Sequence, residues 1–156
     1  MIPQSQWVRA LTAHPSQTIQ SLAEQLTFNW QVNYKALPQA GLSLLQMADG
    51  VFHEPYYLGE IPLACAWIEL TNSAQESFEG AAQVMDDSAE LAVALAVCDA
   101  VMTHQLSGWQ KVAELIQQGM EKRTWEDQQR GLMLAKTRVN FALLSEDEER
   151  RMENGE

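Results

Sequence analysis

From Leu91 to Cys98 the chain reads "LAVALAVC", apolar at every position. Just ahead of it, "DSAE" has the form of a capping box, with Asp87 as the N-cap acceptor and Glu90 reaching back, so the run is expected to be helical. A helix without a polar face has to be covered on all sides. The rest of the chain must therefore envelop it, and at 156 residues there is enough to do so within one core.

The segments around this helix differ in kind. Upstream, a short helix is expected over about Ser5 to Ala13. Pro15 ends it and starts a second helix with Ser16 as N-cap, which carries Ile19, Leu22, Ala23 and Leu26 at helical spacing. Period-two patterns follow: "WQVNYKAL" puts Trp30, Val32, Tyr34 and Ala36 on one face, and "LSLLQM" comes after a Pro-Gln-Ala-Gly break. "ADG" at 48–50 is a turn, "PYYLGEIPLACAWIEL" at 55–70 a strand, and "ESFEGAAQVM" another. Downstream, Gly108 to Lys122 reads as one helix. A separate helix is expected from Thr124, capped with Asp127, to about Leu144. The fold class is thus α+β: an antiparallel sheet of about four strands, short N-terminal helices and a helical C-terminal half. Residues 1–145 are expected to form a single domain, and the charge-rich 146–156 a disordered tail.

The strand at 55–70 poses a problem of its own. Leu63 to Leu70 is apolar on nearly every residue, so both faces call for cover, yet Gly59, Glu60 and Pro62 interrupt its front half. Residues 63–70 are expected to be internal to the sheet, with helices on one face. Tyr56, Tyr57 and Leu58 run toward a subunit contact, where a proline is tolerated at an edge or bulge. On the last helix, Arg138 and Phe141 occupy one partly apolar face while Leu132, Ala135, Val139 and Leu143 form another. Such a helix can pack on its own core and on a partner; an arginine lying solvated over apolar neighbours is the alternative.

Few residues suggest chemistry. The net charge of −11 disfavours nucleic acid and anionic membrane surfaces. No run approaches the ~20 apolar residues of a membrane span. The start "MIPQSQWVRAL" lacks a signal-peptide pattern, so a cytoplasmic location is expected. Cys65 and Cys98 lie in apolar runs without a CxxC partner and read as reduced thiols. His14, His53 and His104 are scattered, with no HxH or HExxH spacing, and no metal site is expected. "HEP" at 53–55 sets a histidine beside a carboxylate, but neighbours on an extended chain face opposite ways. No GxxxxGK[ST], GxGxxG or GxSxG occurs. Asp99, next to Cys98, reads as a buried carboxylate that needs a donor, either structural within the chain or functional. No catalytic residue can be assigned from these residues, and a free-standing small-molecule enzyme using Asp99 or His53 and a homo-oligomeric scaffold both remain open.

In order and spacing, "QWVRALTAH", "GLSLLQ", "YYLGEIPLACAWIEL", Gly80 followed by "AELAVALAVCDA", and "KTRVNF" resemble the PhnG family, a small subunit of the bacterial carbon–phosphorus lyase system. One departure is the lack of the family's usual glycine near Asp86, in "VMDDSAE". The resemblance implies an α+β subunit that associates with PhnI, PhnH and PhnJ. With PhnI, PhnH and a PhnL-like cassette ATPase it supports displacement of adenine from ATP by a phosphonate. The product with methylphosphonate is α-D-ribose 1-methylphosphonate 5-triphosphate, made ready for carbon–phosphorus bond cleavage. By the same resemblance the nucleosidase chemistry belongs to PhnI and the radical step to PhnJ. This chain would be a non-catalytic subunit of the synthase complex, binding no cofactor itself, with ATP a substrate of the complex. Self-association of the isolated chain is a further expectation.

Overall fold

The computed structural model describes residues 2–137. A 3-10 turn, Gln4–Gln6, leads into the helices α1 (Trp7–Leu11) and α2 (Ser16–Leu26). Three strands follow, β1 (Gln31–Ala48), β2 (Pro55–Thr71) and β3 (Ser77–Val84), and then α3 (Ala89–Thr103) and α4 (Trp109–Thr137). The described residues belong to two compact units, 1–122 and a second that begins at Arg123. The first holds the sheet and its core.

The sheet is antiparallel in the order β1-β2-β3, with three strands where four were expected. "WQVNYKAL" and "LSLLQM" are halves of one strand. The chain passes Pro38 through bulges: Lys35 is an extra residue between the Tyr34↔Ile68 and Ala36↔Trp67 pairs, and Leu37 and Pro38 together oppose Ala66. A proline breaks a strand only where its missing N–H is needed, and β1 lies at the sheet's edge. β2 is the internal strand, as expected, and its apolar alternation is resolved by side. Ala64, Ala66, Ile68 and Leu70 are buried, while Trp67 on the other face is 45% exposed.

α3 lies across β2 and β3 on the buried face, and α2 packs against it. Leu91, Ala92, Leu95, Val97 and Cys98 are buried around the helix, with Val93 half-buried, so the all-apolar run is enveloped as its composition demands. Close approach to β3 depends on Gly80. A Cβ there would strike the Ala96 carbonyl and come within 2.7 Å of Ala100. Val112 and Ile116 of α4 complete the core beside Ala10, Leu11 and Ile19, and Gly119 lets the Ala10 carbonyl sit against α4.

Several local expectations are corrected. The N-cap of α3 is Ser88, whose hydroxyl accepts from the Leu91 amide at 3.1 Å. Asp86 accepts from the Ser88 amide at 2.9 Å, which shapes the turn ahead of α3. The expected single first helix is split into the 3-10 turn and the short α1, and α2 starts at Ser16 without a side-chain cap. The two expected C-terminal helices are one. No glycine or proline lies between Met120 and Gly131, an Arg123–Glu126 ion pair at 3.0 Å spans the supposed boundary, and the Asp127 carboxylate faces Arg130 at 3.7 Å. The expected end near Leu144 lies outside the described residues.

Candidate functional site

Beyond the Ala64↔Val84 pair β3 has ended, and only β1 and β2 continue outward. They form a two-stranded arm whose ladder runs from Gly41↔Leu63 to Ala48↔Pro55. Leu58 is an extra residue in it, set between the Leu45↔Gly59 and Gln46↔Tyr57 pairs, and this bulge accommodates the kinked front half of β2. Pro62 pairs with Leu42 at the arm's base, past the reach of β3. Gly59, Glu60 and Pro62 thus fall where β2 no longer needs to be an internal strand.

The arm's tip is built around Asp49. Its carboxylate accepts from the amides of Val51 (2.6 Å), Phe52 (2.9 Å) and Glu54 (3.2 Å), and its own amide donates to the Glu54 carbonyl at 3.0 Å. The Phe52 and Val51 amides hold the Asp49 carboxyl below its ordinary pKa, so it stays ionised at neutral pH. His53 takes the left-handed conformation, φ 56°, which turns the chain back into Pro55. "HEP" is therefore the return of a hairpin rather than an acid–base pair.

Both faces of the arm are apolar. Cross-strand partners share a face, so Leu42, Leu44 and Tyr57 lie on the side of buried Ala64, while Leu45, Met47, Tyr56 and Ile61 lie on the side of Trp67. Tyr57 and Leu58 are 63% and 61% exposed, and Val51 and Phe52 at the tip are both more than three-quarters exposed. A two-stranded hairpin is marginal alone in water. Each large side chain of this kind gains roughly 1.5–3 kcal/mol on full burial, so covering the arm has a large gross driving force. The expected contact residues Tyr56, Tyr57 and Leu58 are accordingly together on it, whereas Arg138 and Phe141 lie outside the described residues. Leu42, Leu44, Val51 and Phe52 were not singled out in the sequence. What marked them was a second apolar strand across the "ADG" turn, matched in length to the first.

Most of the remaining candidates are bonded within the chain. Asp99, expected to be buried, is half-buried. It points to the rim of the core, where it accepts from Gln4 Nε2 at 2.8 Å and from the Ala81 amide at 3.1 Å, tying the N-terminal turn and β3 to α3. His14 Nε2 donates to the Leu115 carbonyl at 2.8 Å and His104 Nε2 to that of Glu79 at 3.3 Å. Both cysteines are free, and burial followed by the neighbouring Asp99 charge pushes the Cys98 thiol up to about 12. On the open sheet face, Lys35 pairs with Glu79 (2.9 Å) and Glu69 (3.6 Å), and Trp67 Nε1 donates to Glu79 at 3.1 Å. Between α2, β1 and the start of α3 lies a shallow groove whose charged residues are Glu24 and Glu90. Among the described residues no three His, Cys, Asp or Glu side chains gather as a metal site, and no helix is long and apolar enough to cross a membrane.

Residues 3–145 match the family described as "Phosphonate metabolism protein PhnG". The chain belongs to the PhnG family. The match spans the arm, the sheet and α3. Membership assigns the chain a role in phosphonate metabolism. No curated protein matches the chain.

Proposed function

We propose that this PhnG-family chain is a non-catalytic subunit of a cytoplasmic complex that makes α-D-ribose 1-methylphosphonate 5-triphosphate from ATP and methylphosphonate, releasing adenine ahead of carbon–phosphorus cleavage. Its partners in this reading are PhnI, PhnH, PhnJ and a PhnL-like ATPase. The observation that carries the reading, beside family membership, is the preformed arm with two uncovered apolar faces. Such a surface is what an assembling subunit presents.

The charge distribution supports the assignment of chemistry to other chains. Holding a triphosphate calls for clustered Lys or Arg or a nest of backbone amides, usually with magnesium. Here no Lys or Arg occurs from 36 to 110, and Glu24 and Glu90 edge the groove beside α2. A polyanion entering there would meet like charge. The chain's contribution is then to shape or steady a site built by its partners.

Assembly is the test. Co-expressed with PhnI, PhnH and PhnJ, the chain is expected to co-purify with them as one species of fixed composition on size exclusion. A chain that elutes apart from all three would contradict the subunit reading.

A further inference from the structure

We infer that the β1–β2 arm docks into a different protein chain, in an apolar groove rimmed by lysine or arginine, rather than onto a second copy of this chain. The inference rests on the subunit reading and adds to it the docking element and the chemistry of the surface that receives it.

Three features converge on the arm. It is shaped before it binds: the Asp49 carboxylate fixes the tip through three amides, and the Leu58 bulge sets the bend. Its two sides are both apolar, with Leu44 and Tyr57 on one and Met47 and Tyr56 on the other, so the receiving surface has to grip it from two sides. Its charges are of one sign. Asp49, Glu54 and Glu60 lie on it, and no Lys or Arg does. An apolar element edged only by carboxylates fits a groove whose rim is cationic.

A second copy meets that requirement badly. Arm against arm would bring like carboxylates together on a chain that already carries a net charge of −11. Among the described residues, four of the cations elsewhere are engaged by oxygens of their own chain. Lys35 pairs with Glu79 and Glu69, Lys122 donates to the Ala13 carbonyl at 2.8 Å, and Arg123 and Arg130 pair with Glu126 and Asp127. Like-charge juxtaposition of this kind selects against self-pairing while leaving a basic partner favoured.

Two variants test this by binding to the co-expressed PhnI–PhnH–PhnJ assembly. In the first, residues 44–60 are replaced by Asn-Gly, which closes the ladder with a two-residue turn at the Ser43↔Ile61 pair and leaves the core untouched. It is expected to keep a cooperative thermal melt and lose at least about a hundredfold in affinity. In the second, Glu54→Lys with Glu60→Lys, the arm persists and affinity falls about tenfold at low salt, the difference shrinking at about 0.5 M salt as charges are screened. If the shortened chain does not fold, the charge variant decides. Wild-type binding by the charge variant at low salt, or by a folded shortened chain, overturns the inference and leaves the subunit reading standing. So does a wild-type homodimer that arm shortening abolishes. A wild-type chain that does not join the assembly overturns both.

Discussion

Gly80 shows how one missing atom sets the depth of the core. α3 rests so closely on β3 that a Cβ at this position meets the Ala96 carbonyl and the backbone and side chain of Ala100. Backbone cannot move aside as a flexible side-chain end can. Gly80→Ala is therefore expected to lower stability by about 1–3 kcal/mol, seen as a shifted urea midpoint at an unchanged slope. An unshifted midpoint would mean that α3 is free to move away from the sheet. The sequence marked Gly80 only by its fixed distance from the apolar helix. The contact that explains it depends on two elements packing, which no local pattern records. Asp99 is the opposite case: its need for donors was legible, but not that Gln4 and the Ala81 amide meet it at the rim of the core.

Among the elements, the arm and the two long segments beside it show where pattern reading succeeds. The period-two runs and the all-apolar helix were legible because alternation and continuous apolarity follow from burial geometry. The breaks were not. Pro38 lies in a bulge of an edge strand rather than in a turn, and Thr124 and Asp127 lie within a continuous helix, because a capping residue permits a helix start without forcing one. The arm's length followed from neither signal. It emerges where β3 stops at Val84 while its neighbours continue. Its tip has a pH dependence of definite sign. The Asp49 carboxyl is held below its ordinary value by bonds from the Phe52 and Val51 amides, so tip order is present above the ordinary carboxylate pKa and is lost as pH falls through the lowered one. Protection of the Val51 and Phe52 amides, taken relative to their intrinsic exchange rate at each pH, should be high near neutrality and lost in acid, and absent throughout in Asp49→Ala. Protection that is indifferent to both changes would remove Asp49 from its role.

For the whole molecule, the uneven charge and the uncovered arm point the same way. Among the described residues, the core beneath α3 draws on no side chain of the arm. On the proposed reading, a long apolar hairpin outside that core serves contact with another chain, and family membership places the chain in phosphonate metabolism. On the proposed function, this chain is required by a reaction it does not itself perform. The direct measurement is adenine released from ATP and methylphosphonate by purified PhnI, PhnH and the PhnL-like ATPase, with this chain, without it, and by this chain alone. Turnover is expected only when all are present. Full activity without the chain, or sustained adenine release by the chain alone, would contradict it.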